Sequence, residues 1–283
     1  MTKATKMVVF GIAGLIIVLA AAFCAINRAG AGKPEFYVWE AISGKARAGR
    51  YADINGVRIY YKTYGSGRAV LVLHGGAGFI EMMHHQIRAL AENQFVVAPD
   101  SRAHGRSTDS DAPLSYALMA DDMLKLLDSL TLDKVDVVGW SDGGIIGLDL
   151  AMHHPERVGR LVTIGANYDV DGLVHRPVFD GKIPPTPGFY RRNAPDPAHW
   201  PLFYTKLITM QQTQPHYSMD DLGKIKAPTL VMAGEFDVVR REHTDRLAKA
   251  IPNGREDIIK AATHNMPLDE PEVVDAHILQ FLN

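Results

Sequence analysis

Residues 135–144 read Val135-Asp136-Val137-Val138-Gly139-Trp140-Ser141-Asp142-Gly143-Gly144. An apolar run enters a G-x-S-x-G pattern, and helix-like sequence follows from Ile145 to His154. Strand, sharp turn and helix form the context in which this pattern delivers a nucleophilic serine. The Ser141 hydroxyl has to stand clear of the sheet on a strained turn. Glycines two residues before and after it let the backbone close without a Cβ collision. In a chain with 25 glycines the pattern alone is a weak signal. Its weight comes from the partners it demands.

A serine hydroxyl is a poor nucleophile until a base takes its proton, and the base needs a carboxylate to fix its tautomer. Downstream, Pro228 to Asp237 reads as a buried strand ending in a Gly-containing turn that delivers Asp237. Asp257 to His264 reads as a last short strand with His264 just beyond its end, followed by an amphipathic stretch from Pro271 to Phe281. Both candidates fall at carboxyl ends of predicted strands, where open α/β sheets place their sites.

Upstream, Ala69 to Leu73 is another buried strand, running into His74-Gly75-Gly76-Ala77-Gly78. Acyl transfer needs two backbone N–H groups aimed at a developing oxyanion. Asp142, the residue after the nucleophile, supplies one candidate, and Gly76 supplies the other. A phosphate-cradling reading of the same loop fails, because neither G-x-x-x-x-G-K-[ST] nor a spaced G-x-G-x-x-G stands at this junction.

Around these motifs the chain alternates. Tyr51 to Tyr64 patterns as a hairpin about Asn55-Gly56. Strands are predicted near 69–74, 95–99, 135–140, 160–165 and 228–234, with helices near 80–93, 115–130 and 143–154. That rhythm gives a mostly parallel sheet. The stretch 170–226 breaks it with prolines, scattered aromatics and a helical segment near 199–213.

The chain resembles a serine hydrolase of the α/β-hydrolase superfamily over roughly residues 50–283. The resemblance rests on His74-Gly75-Gly76, on Asp100 to Ser107 after the fourth strand, on the Gly139–Gly143 elbow, on Gly234-Glu235-Phe236-Asp237 and on His264. Within the superfamily, Gly-Trp-Ser-Asp-Gly-Gly and Ile164-Gly165-Ala166-Asn167 resemble the valacyclovir-hydrolase (biphenyl-hydrolase-like) branch. The resemblance implies an α/β fold with a mostly parallel eight-stranded sheet flanked by helices, and a small cap at about 170–226 after the sixth strand. It also implies a triad in the chain order Ser141, Asp237, His264. Asp169, just past the sixth strand, is the alternative acid, since some members of the family place it there. The family usually shows Arg-Gly-His/Tyr-Gly where this chain has Arg102-Ala103-His104-Gly105.

Composition fits a globular enzyme: of 283 residues 47% are hydrophobic and 22% charged, enough for a large core. A net charge of −2 without a basic cluster argues against nucleic acid as a partner. The single cysteine, Cys24, excludes an intrachain disulfide and a thiolate metal site. His84-His85 and His153-His154 are helical neighbours pointing about 100° apart, so neither pair chelates one metal readily. No metal and no cofactor are implied.

Met7 to Ile26 is a run of 20 uncharged residues preceded by Lys3 and Lys6. That length suffices for a membrane-spanning helix. The expectation is an uncleaved signal anchor over 7–26, with the catalytic domain outside the cytoplasm and residues 27–49 as linker. A cleaved signal with a secreted or periplasmic product is the alternative.

The expected activity is hydrolysis of a small-molecule carboxylic ester, with lactones and aminoacyl esters as further candidates, through an acyl-enzyme. Peroxide-dependent perhydrolysis or haloperoxidation on the same triad, and a non-catalytic binding member of the fold, are the alternatives. Trp140, Asp142 and Met266 are candidate substrate contacts. Asp142 is either turned outward or paired with Arg or Lys from the cap, or else it meets a substrate cation. His74 reads as a residue that fixes its loop, and Asp100, Arg102 and His104 as a loop-fixing network. Phe189, Tyr190, Trp200, Phe203 and Tyr204 either line an acyl pocket or pack cap on core.

Overall fold

The computed structural model describes residues 34–177 and 179–283 of the chain. Its strands are β1 (Arg50–Ile54), β2 (Val57–Gly65), β3 (Arg68–Leu73), β4 (Gln94–Pro99), β5 (Val135–Trp140), β6 (Val158–Ile164), β7 (Thr229–Phe236) and β8 (Gly254–Thr263). They form one sheet in the order β1-β2-β4-β3-β5-β6-β7-β8. The β1–β2 hairpin is antiparallel and joins β4 antiparallel; from β4 to β8 every pairing is parallel. The hairpin turn closes on Asn55 and Gly56 with φ of 49° and 74°, the positive values that a two-residue turn with the sheet's own twist requires.

The helices are α1 (Pro34–Ile42), α2 (His84–Leu90), α3 (Tyr116–Ser129), α4 (Asp142–His153), α5 (Gly188–Asn193), α6 (Trp200–Thr213), α7 (Met219–Leu222), α8 (Arg241–Ala250), α9 (Met266–Asp269) and α10 (Pro271–Leu282). Strand alternation divides the core in two. Leu71, Leu73, Val135 and Val137 face one cluster with Met119, Leu126, Ile146 and Leu247 of α3, α4 and α8. Val70, Val72, Val138 and Trp140 face the other, with Ile87, Val274 and Ile278 of α2 and α10. With helices on both faces, β5 is buried along its whole length, which is why its sequence is apolar apart from Asp136, whose buried carboxylate pairs with Arg68 at 2.8 Å. Local signals set the helix starts. The Ser115 hydroxyl caps α3 by accepting the Leu118 N–H at 3.1 Å, and Ser218 with Asp221 forms a capping box at α7.

Two sequence expectations need correction. Part of the expected linker is a helix: α1 buries Phe36 completely against Tyr64, stacks Phe36 on Trp39 at 5.6 Å and pairs Glu40 with Lys62 at 2.7 Å. The second concerns the membrane. Among the described residues no helix is long and apolar enough to cross one. The longest, α3 and α6, have 14 residues each, and a span needs about 20 apolar ones. The expected anchor at 7–26 lies outside the described residues. A transmembrane helix or signal anchor, a membrane partner and a membrane-anchored location outside the cytoplasm are therefore withdrawn from the reading.

Between β6 and β7 the chain leaves the sheet to form α5, α6 and α7. Tyr190, Trp200 and Phe203 form an aromatic cluster in which Tyr190 stacks on Phe203 at 5.4 Å, and all three side chains are buried. These aromatics pack the segment onto the core, where Phe203 meets the His104 ring edge-on at 4.7 Å. Phe189 stacks on Phe79 of the loop after β3 at 5.4 Å.

Candidate active site

β5 ends at Trp140, and Ser141 turns the chain into α4 with φ 55° and ψ −120°. A residue with a Cβ pays of order 1–3 kcal/mol for such a conformation, so the surroundings must enforce it. Ser141 donates its N–H to the Ile164 carbonyl at 2.8 Å, and its own carbonyl accepts from Gly144 at 2.8 Å. The flanking glycines are steric necessities. A Cβ on Gly139 would lie 2.2 Å from the Gly143 carbonyl oxygen, and one on Gly143 would lie 2.4 Å from that of Leu73.

Asp237 follows β7 and His264 follows β8. The Asp237 carboxylate is 1% exposed. It accepts the Gly234 N–H on Oδ2 and the Val239 N–H on Oδ1, each at 3.2 Å. His264 places Nδ1 2.8 Å from Asp237 Oδ1 and Nε2 3.1 Å from Ser141 Oγ. A carboxylate can only accept, so the Nδ1 proton points to Asp237 and the Nε2 lone pair faces the serine hydroxyl. The structure thus brings Ser141, His264 and Asp237 together. It takes Asp169 elsewhere, with Oδ2 2.8 Å from His216 Nδ1 and Oδ1 accepting the Asp171 N–H.

The His74-Gly75-Gly76 loop lies against the elbow. A Cβ on Gly75 would sit 3.2 Å from the Ser141 Cβ, and one on Gly76 would sit 2.5 Å from Asp142 Oδ2 and 2.5 Å from Gln211 Nε2. His74 fixes the loop: Nδ1 meets the Gly75 carbonyl at 2.8 Å, and Nε2 accepts the Ser101 N–H at 3.1 Å. That pattern is the neutral tautomer, and burial pushes the imidazole below its ordinary pKa.

Asp142 neither turns outward nor pairs with an Arg or Lys of the segment after β6. The side chain is buried and accepts from the Tyr116 hydroxyl at 2.9 Å and from Gln211 Nε2 at 3.0 and 3.2 Å. Burial pushes its carboxyl above the usual carboxylate range, while the Gln211 and Tyr116 hydrogen bonds and the nearby His264 pull the other way. Tyr116 and Gln211 are contacts that sequence reasoning missed. Neither carries a motif, and Gln211 reaches Asp142 only because α6 folds back over the loop.

Trp140 and Met266 are placed inside the core cluster rather than on an open wall. Trp140 is 4% exposed and donates its indole N–H to the His264 carbonyl at 2.9 Å. Met266 is fully buried.

The loop after β4 is rigid through charge. Asp100, fully buried, accepts from the Ile80 and Arg106 N–H groups at 2.7 and 2.8 Å, and Arg106 also pairs with Glu81. Arg102 grips Asp122 with two nitrogens at 2.6 and 2.7 Å. His104, completely buried beside His74, is pushed down to about 3 by desolvation first and by His74 second. It is neutral and holds its Nδ1 2.8 Å from the Arg102 carbonyl.

A strained serine between two glycines, at the end of a central parallel strand and facing a His–Asp pair from later strands, is the arrangement of the α/β-hydrolase fold. The comparisons agree. A family model described as the alpha/beta hydrolase fold matches residues 68–202. A relative from Caulobacter sp. (strain K31), named "Putative carbamate hydrolase RutD", is 30% identical over 257 residues, covering 80% of this chain and 96% of the relative. Among solved structures, a serine hydrolase involved in carbazole degradation (the CarC enzyme) is 25% identical, with a TM-score of 0.69 over 83% of this chain and 98% of its own. Est816, described as an N-acyl homoserine lactone degrading enzyme, is 25% identical, with a TM-score of 0.68 over 82% of this chain and 100% of its own. The chain belongs to the α/β-hydrolase family and is a hydrolase.

Proposed function

We propose that the protein cleaves carboxylic esters through an acyl-enzyme on Ser141, with His264 as general base and acid and Asp237 as the carboxylate that orients it. The observation that carries this reading is the continuous relay of Asp237 Oδ1 to His264 Nδ1 at 2.8 Å and His264 Nε2 to Ser141 Oγ at 3.1 Å.

In the first half-reaction Ser141 Oγ attacks the carbonyl carbon while its proton passes to His264 Nε2. The carbonyl oxygen becomes an oxyanion, which the Gly76 and Asp142 N–H groups receive. The imidazolium, stabilised by Asp237, then donates its proton to the departing alkoxide as the C–O bond breaks. In the second half, water gives a proton to His264 Nε2 as it attacks the acyl-serine. As that intermediate collapses, His264 passes the proton from Nε2 to the departing Ser141 Oγ and the carboxylic acid is released.

Carbamate hydrolysis is the second reading, favoured by the name of the Caulobacter relative. The same centre would attack the carbamoyl carbon, and a lactone would differ only in keeping its alkoxide tethered. In either case Asp142, held by neutral partners against the Gly76 loop, lies next to the scissile carbonyl and is the group through which we propose that charge on the substrate is sensed.

The test is covalent capture with a fluorophosphonate, with mass spectrometry to locate the adduct. It is followed by steady-state rates on p-nitrophenyl esters of graded chain length, on lactones and on aryl carbamates. An adduct on Ser141 and turnover lost in Ser141→Ala are the expected results. Ester turnover persisting in Ser141→Ala would overturn the reading. The ratio of ester to carbamate rates decides between the two substrate classes.

A further inference from the structure

His264 is separated from Ser141 by 123 residues, and it sits in a turn rather than in a strand. Its imidazole is held at Nδ1 by Asp237 and faces Ser141 at Nε2. Its main chain is held by a third group. The Trp140 indole N–H donates to the His264 carbonyl at 2.9 Å, with the two rings 6.0 Å apart and inclined at 44°.

The donor belongs to the residue directly before the nucleophile. Trp140 ends β5, so its Cα is fixed by the central sheet. Its ring is fixed by the cluster that also holds Val138, Ile164, Met232 and Met266. The main-chain position of the base is thereby referenced to the nucleophile by one packed side chain. An indole is a donor only, so the bond cannot reverse. Phenylalanine would fill much of the space and leave the carbonyl without that donor.

We propose that Trp140 is a positioning residue for acyl transfer: its indole N–H holds the His264 turn so that Nε2 stays in line with Ser141 Oγ. The proposal rests on Ser141 and His264 acting as read above. Productive geometry tolerates little error, and a misplacement of about 1 Å can cost on the order of a hundredfold in rate. The bond therefore weighs on turnover more than on substrate affinity.

The test uses the full chain with Trp140→Phe. A second variant carries at position 140 a benzothiophene isostere of tryptophan, which keeps the ring shape and lacks the N–H. Four quantities are read: the rate of fluorophosphonate capture, kcat and KM on one p-nitrophenyl ester, the low-field proton resonance of His264 Nδ1–H, and the melting midpoint. Both variants are expected to lose about tenfold or more in capture rate and in kcat, with KM within about twofold of the parent. The low-field resonance should shift or broaden. Parent-like kcat with a parent-like resonance in the folded isostere variant overturns the proposal. So does a loss of kcat in both variants with the resonance unmoved. If the parent itself is not captured at Ser141, the reading of the nucleophile fails instead, and the two failures are distinct.

Discussion

A Cβ built on Gly165 would lie 2.8 Å from His264 Nδ1 and 3.1 Å from Asp237 Oδ2. Gly165 directly follows β6 with φ +61° and donates its N–H to the Met232 carbonyl at 2.8 Å, so it cannot withdraw without losing that bond to β7. The glycine keeps the imidazole–carboxylate pair seated. Gly165→Ala is expected to lose on the order of a hundredfold in kcat, because the methyl displaces the ring. It should also lose about 1–2 kcal/mol of stability from the left-handed backbone alone. Ester kinetics and urea unfolding on the same preparation check both. Parent-like turnover would mean that the ring has room to move.

The acid is decided by two paired substitutions. Asp237→Asn should cut kcat by about four orders of magnitude, because an amide facing Nδ1 favours the wrong tautomer. The fold should survive, since the Asn oxygen can still accept the Gly234 N–H now bound at Oδ2 and only the Val239 N–H loses its acceptor. Asp169→Asn should leave kcat within about twofold, as its partners are His216 and the Asp171 N–H. The reverse order of effects would move the acid to the residue after β6.

The arrangement of the fold was readable where chemistry or burial forces a residue type. β5 is apolar but for Asp136, which Arg68 neutralises, because helices cover both faces. Gly139 and Gly143 had to be glycine because carbonyls crowd them to within 2.4 Å of any Cβ. Asp237 and His264 could be singled out because each directly follows a strand, β7 and β8. Asp142 could not be read. Its burial depends on Tyr116 at the start of α3 and on Gln211 in α6, two residues joined to it only by the path of the segment after β6. α1 was misread as linker for a related reason. Its Phe36 finds Tyr64 across the sheet edge, and no short-range pattern in a mixed polar stretch records that. Trp140 stands among the candidate substrate contacts in the sequence, and its place in the core cluster depends on packing that no motif records.

Ala103 has φ +65° at the position where the family pattern usually carries glycine. Its N–H donates to the Thr108 carbonyl at 3.0 Å, and its side chain is buried. The loop is held in this left-handed state by the Asp100–Arg106 and Arg102–Asp122 pairs on either side. Ala103→Gly is expected to relieve about 1 kcal/mol of backbone strain, offset by one lost buried methyl at about 0.8 kcal/mol and by the looser unfolded chain. The net change should lie near zero, where glycine at an ordinary αR or β position costs stability outright. A denaturant midpoint lowered by more than about 1.5 kcal/mol equivalent would show that the methyl packing dominates.

Asp142 carries the clearest pH signature for stability. Its buried carboxyl has neutral partners, Tyr116 and Gln211, and burial raises it above the usual carboxylate range. The folded state therefore holds this proton to higher pH than the unfolded chain does. The protonated form's contribution is complete below the unfolded value near 4, and it is lost as pH climbs through the folded value. Above that window the ionised carboxylate lowers stability relative to the protonated form. Asparagine cannot ionise, and its Oδ1 can accept from Tyr116 as the carboxylate does. Asp142→Asn should approach the parent in melting midpoint at about pH 2.5, well below the unfolded value, and should exceed it at neutral pH by a margin that opens as pH rises from the unfolded to the folded value. Thermal melts of both proteins from acid to neutral pH measure that margin. A neutral-pH midpoint lower in the Asn variant than in the parent would mean that the hydrogen bonds from Tyr116 and Gln211 more than offset the desolvation of the ionised carboxylate.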